Sequence, residues 1–161
     1  MKHSACIIKN KLFIEWKKHK EINQGFIDYT LNVTLKKFLN IHNLCSVEIE
    51  VILSNNKYIH DLNLRFRGHD KPTNVLSFHQ LDLDWKNILE FSPQNNYMFL
   101  GTIVFGYQTI KAEADLLSES FTDHFQALLV HGILHLLGFD HKEQDDTKAM
   151  EELEKEILLE L

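Results

Sequence analysis

His131 and His135, within LVHGILHLLGFDH at 129–141, are the residues of this 161-residue chain whose type and spacing are best suited to chemistry. They sit in a long apolar run, with Phe121, Phe125, Leu128, Leu129, Val130, Ile133, Leu134, Leu136 and Leu137 and no proline, which predicts a well-buried helix. At about 100° and 1.5 Å per residue, a spacing of four stacks both rings on one helix face, within reach of a single ion. A third ligand must come from beyond the helix. Gly138 can take a left-handed conformation and end it, so that the chain folds back through Phe139 and Asp140 and presents His141 to the same point. Three neutral imidazoles and one open position make the ligand set of a catalytic zinc site, where a bound water has its pKa lowered to about 7. One Zn(2+) per chain is expected. A structural site would be closed by a fourth ligand, usually cysteine, and Cys6 and Cys45 are both distant in sequence.

Zinc proteases of the HExxHxxGxxH kind carry a glutamate directly after the first histidine as general base. Here that position is Gly132, which argues against peptide cleavage and suggests open space beside the metal for a bulky substrate. A second stretch, NLRFRGHDKPTNVLSFH at 63–79, gathers Arg65, Arg67, His69 and Lys71 around a glycine and a proline. Such a turn can hold a guanidinium at the mouth of a cleft, where its planar fork matches a phosphate. The same cations would also suit a plain solvated helix end.

The elements that must position these residues follow from periodicity. Residues 5–16 predict an edge strand or hairpin, and 22–41 an amphipathic helix with Phe26, Leu31, Leu35, Phe38 and Leu39 inward. SVEIEVIL at 46–53 alternates with period two and predicts a strand. A helix over 56–67, with Ile59, Leu62 and Phe66 at helical spacing, is closed by Gly68. Strands at 75–78 and 99–105 flank a polar loop at 82–96, and a helix at 108–117 precedes the histidine helix. The last helix, about 147–161, points Met150, Leu153, Ile157 and Leu158 inward, with Asp145 and Asp146 at its positive end and its remaining acids on a solvated face. The order is α+β: a small mixed sheet packed with several helices, forming one domain over 1–161 with the metal site at the end of a buried helix.

Composition narrows the partners. A formal charge of −6 disfavours a protein that coats nucleic acid non-specifically, without excluding a local basic cleft. The first residues lack the long apolar segment of a signal peptide or membrane span, so cytoplasmic residence is expected, and two distant cysteines suit a reducing compartment.

HGILHLLGFDH at 131–141 closely resembles the HGxLHLxGxDH signature of the YbeY family of bacterial metal-dependent endoribonucleases and rRNA maturation factors. LNLRFRGHDKPTNVLSF at 62–78 resembles that family's LNxxxRxxDxPTDVLSF segment, and the order of elements and MEELEKEIL at 150–158 are also similar. The resemblance implies an α+β fold, zinc on His131, His135 and His141, and Arg67 at the family's functional arginine. It also implies cleavage of single-stranded RNA in late ribosome maturation, including processing of the 3′ end of small-subunit rRNA. Ribosomal RNA and the small subunit or its proteins are then the expected partners. Two positions depart from the family pattern: Thr102 stands where LGDI has its aspartate, and His79 stands where proline follows LSF.

On this reading zinc activates water or polarises a phosphoryl oxygen, and Arg67 stabilises charge developing on the phosphate. Asp140 orients a ligand imidazole or caps the turn. His124 lies about 10 Å along the axis from His131 and is expected to pack or face solvent. Two other classes compete: a zinc hydrolase of an amide or small phosphoester, and a non-enzymatic assembly factor whose metal is structural.

Overall fold

The computed structural model describes residues 5–8, 14–38, 46–88, 97–140 and 144–161. Among these, four strands form a mixed sheet in the order β1 (Ala5–Ile8), β2 (Ser46–Ser54), β4 (Tyr97–Gly106), β3 (Val75–His79). β1 and β4 both run parallel to β2, from Ala5 opposite Glu48 and from Ser46 opposite Tyr97, whereas β3 runs antiparallel to β4 with Val75 opposite Phe105. Among the described residues β1 is thus an edge strand paired with the parallel β2, and residues 9–13 of the expected strand or hairpin lie outside the described residues. The expected loop at 82–96 is described only as far as residue 88, and Leu39 and residues 40 and 41 of the expected first helix lie outside the described residues.

The helices are α1 (Gln24–Lys36), α2 (Asn56–Arg67), α3 (Tyr107–Leu117), α4 (Phe121–Leu136) and α5 (Gln144–Leu158). Side chains of Asn23, Asn55 and Ser120 accept from the backbone N–H groups of Phe26, Tyr58 and Asp123, starting α1, α2 and α4 with N-caps that satisfy donors the helix leaves unpaired. α5 begins before its expected start at Thr147, with Asp145 and Asp146 in its first turn.

Period-two alternation on β2 turns Val47, Ile49, Val51 and Leu53 to one face, where they meet Ile27, Leu31 and Leu35 of α1 and Phe125, Leu129, Ile133 and Leu136 of α4 in the main core. Trp16 closes one end of this core, edge-on to Tyr107, Phe121 and Phe125, with its indole N–H donating to the Ser54 carbonyl at 2.8 Å. On the other face α2 packs Ile59 on Leu76 and Val104. The edge strand β3 therefore lies between α4 and α2, and this places the C-terminal halves of both helices around one opening.

Candidate metal centre

α4 ends as its sequence predicts. Gly138 takes φ +96°, its N–H and that of Phe139 return to the carbonyls of His135 and Leu134, and the backbone turns away. A Cβ on Gly138 would lie 2.1 Å from the Leu83 carbonyl oxygen, so the approach of the 80s loop also requires glycine here.

One turn apart on this helix, His131 and His135 bring their Nε2 atoms to 3.0 Å, with ring centroids 4.5 Å apart. The far side of each ring is fixed. His135 Nδ1–H donates to the Phe139 carbonyl at 2.8 Å, and His131 Nδ1 pairs with the Glu154 carboxylate of α5 at 2.6 Å. A carbonyl only accepts, so Nδ1 of His135 carries its proton and Nε2 presents a lone pair; Glu154 favours the same tautomer of His131. Two such lone pairs at 3.0 Å repel unless a proton or a cation lies between them. This donor set fits a zinc ion: neutral imidazoles, both anchored through the second nitrogen as metal-ligating histidines commonly are. His141, the third expected ligand, lies outside the described residues. Among the described residues no group of three or more histidine, cysteine or carboxylate side chains converges on one point.

The histidines form one wall of a cleft of about 740 Å³, whose other walls are the end of α2 with Arg67, the following turn with His69, and β3. The turn beyond α2 is held from inside. Gly68 takes φ +70°, and the buried Asn63 donates its side-chain amide N–H to the Lys71 carbonyl at 2.8 Å while its backbone carbonyl accepts from His69 N–H. His60 also pairs with Asp70 at 2.8 Å. Arg67 is therefore presented from a pinned helix end, exposed and facing the same space as His131 and His135. Of the other cations in that stretch, Arg65 pairs with Asp61 at 3.4 Å, and neither it nor Lys71 lines the cleft.

Asp140 is half-buried and lines both this cleft and a smaller adjoining one of about 320 Å³, which also includes His79. His124 stands apart from the site, bonded through its two ring nitrogens to Glu113 and Glu119. Thr102 donates its hydroxyl to Glu50 at 2.7 Å across the sheet, away from the cleft.

Two readings of the sequence need correction. Gly132 does not open space beside the histidines: it is buried against β4, where a Cβ would lie 2.9 Å from Ile103 Cγ2 and 3.2 Å from Ser77 Oγ. Its position, 100° round the helix from His131, faces the sheet, and Ser77 Oγ–H donates to its carbonyl at 3.3 Å. Nor is Glu154 on a solvated face, because it reaches His131. A signal for it exists in the sequence. Glu154 is four residues after Met150 and three before Ile157, so it falls within the inward stripe of α5, where a carboxylate needs a partner.

Comparison with known proteins agrees with this architecture. The family model described as "Endoribonuclease YbeY" matches residues 12–161. A Bartonella bacilliformis protein described in the same words is 44% identical over 111 residues, covering 69% of this chain and 66% of that protein's length. A solution structure of a Thermotoga maritima protein superposes with a TM-score of 0.57 at 26% identity, covering 95% of this chain and 86% of that one.

Proposed function

We propose that this chain, which belongs to the endoribonuclease YbeY family, is a zinc-dependent endoribonuclease that cleaves single-stranded RNA. Its place of action is the cytoplasm, in late ribosome maturation, with the 3′ end of small-subunit rRNA among its targets and the small subunit or its proteins as partners. The observation that carries the chemistry is the meeting of His131 and His135 Nε2 at 3.0 Å in the same cleft as Arg67. His131, His135 and His141 would hold the zinc ion, which supplies Lewis acidity and an acidified water when bound.

The chain's own residues do the rest. Glu154 and the Phe139 carbonyl keep both Nδ1 atoms protonated and both Nε2 atoms aimed into the cleft. Arg67 offers a fork of N–H donors to a phosphate that enters between α2 and α4, and can neutralise charge that develops on its oxygens. Asn63 keeps that guanidinium's helix end from shifting, so little reorganisation is left for the reaction. Peptide hydrolysis is disfavoured because the position of the protease glutamate is Gly132, turned into the core.

The test uses zinc-loaded protein on labelled single-stranded RNA, duplex RNA and casein. Single-stranded RNA should be cut, with cleavage abolished by a chelator and restored by zinc. Arg67→Ala should keep fold and zinc content yet lose cleavage by roughly 10²- to 10³-fold, as expected for removal of a transition-state charge donor. Wild-type rates for that variant, with metal content verified, would reject the role of Arg67. Activity on casein alone would reject the nuclease.

A further inference from the structure

One aromatic side chain in the cleft is left unexplained by the fold and by the histidine pair. Phe66, in the last turn of α2, is 62% exposed, although helical spacing from Ile59 and Leu62 would turn it inward. Its ring is nonetheless held: it meets Phe78 of β3 edge to face with centroids 5.2 Å apart, and the Arg65 guanidinium lies 5.9 Å from its centroid. Phe78 is in turn half-buried against Ile59, Leu76 and Val104. Both phenylalanines line the cleft together with Arg67, His131 and His135.

We propose that Phe66, backed by Phe78, is a stacking platform for one unpaired base of the RNA substrate, beside the phosphate taken by Arg67. The proposal rests on the RNA reading above and deepens it. An exposed ring is an awkward surface for water and a good one for the flat face of a nucleobase, and stacking of this kind tolerates any base because every base has a π-face. A base is also the flat apolar group that a phosphodiester carries with it, so a platform adjacent in sequence to the phosphate-binding arginine suits a nucleotide. In a duplex both faces of each base are covered by neighbours, and the platform then has nothing to receive. Preference for single strands follows from this contact without any reading of sequence.

Phe66→Leu keeps an apolar side chain and helix propensity but removes the ring, and its fold is checked by thermal melting. With free single-stranded RNA oligonucleotides, the variant should raise KM about tenfold, the loss expected for one base–aromatic stack, while Phe66→Trp should hold KM at or below the wild-type value. A single abasic nucleotide, scanned along the oligonucleotide, should cost wild type a similar factor at one position and cost Phe66→Leu nothing further there. Equal KM for wild type and Phe66→Leu, or penalties that multiply instead of overlapping, would overturn the platform while leaving the nuclease intact. A defect seen on ribosomal particles but absent on free RNA would overturn it in favour of a protein contact at Phe66. Absence of any RNA cleavage or binding by the wild type would overturn the nuclease reading and the platform with it.

Discussion

Glu154 acts on the site through His131. Its side chain is only 22% exposed, and a carboxylate at 2.6 Å from Nδ1 fixes the ring's rotation and keeps Nε2 aimed into the cleft. Glu154→Ala should therefore lower zinc affinity about 10- to 100-fold, the usual cost of removing such a partner, measured by competition with a chromophoric chelator. An unchanged affinity would mean that packing alone orients His131. His135 has a backbone carbonyl as its second partner, so no substitution at Phe139 that preserves the turn should weaken the metal in the same way. The meeting of His131 and His135 was legible in the sequence because their spacing is local and follows helix geometry. Their supports were less so, since a backbone carbonyl leaves no trace in residue type, and Glu154 is distinguished from its acidic neighbours only by its phase on α5.

At the scale of elements, α4 must lie close enough to β3 and β4 for its histidines to face Arg67, and Gly132 sets that closeness. Restoring the protease motif with Gly132→Glu would place a carboxylate against Ile103 and Ser77 in the core. Desolvation of an unpartnered carboxyl costs several kcal/mol and overpacking about 1–3 kcal/mol more, together on the order of the stability of a whole domain. Gly132→Glu should therefore fail to fold, with no gain of proteolysis. Gly132→Ala should fold with a loss of about 1–2 kcal/mol in urea unfolding, overpacking by one methyl being partly offset by alanine's helix propensity; a stabilised variant would contradict the close approach. α5 is docked by the buried Met150 and Ile157 and by Lys37 of the α1 terminus, which pairs with Glu156 at 2.8 Å and with Glu160. These two carboxylates, Glu156 first, hold the Lys37 ammonium above its ordinary pKa of 10.5, so their stabilisation is fully present below that pH and is lost only as pH rises through the raised value. The tie is exposed and salt-screened, worth at most about 1 kcal/mol. The end of α2 was legible because Gly68 marks it, whereas the first helix, expected to reach residue 41, ends at Lys36, and α5 starts three residues before Thr147. Local pattern assigned the inward faces of α1 and α5, with Leu31, Leu35, Met150 and Ile157 buried, but failed at one position of α2. Phe66 has the spacing of a core residue, yet it meets Phe78 of β3 edge to face and stays 62% exposed.

The arrangement of the whole molecule depends on pairings between strands far apart in sequence. Alternation identifies β2 and β4 as strands, but it says nothing of their parallel register or of β3 returning antiparallel at the edge, and those two facts bring α2 and α4 to a common cleft. They also determine how charge is distributed around a substrate. The chain carries −6 overall, and Arg67 is the one permanently cationic side chain among the described residues that line the cleft. Affinity for single-stranded RNA falls with salt by a log–log slope of about −0.7 per phosphate neutralised. One guanidinium, together with a metal ion at the histidines, should neutralise only one to three phosphates, giving a slope between about −0.7 and −2. Arg67→Ala should flatten that slope by about 0.7, and Phe66→Leu should weaken binding without changing it, because stacking releases no counterions. Fluorescence anisotropy of a labelled oligonucleotide across a salt series measures all three. A wild-type slope of −4 or steeper would place most phosphate contacts on a basic track outside the cleft, and the narrow site described by Arg67, His131 and His135 would then not be where RNA gains its affinity.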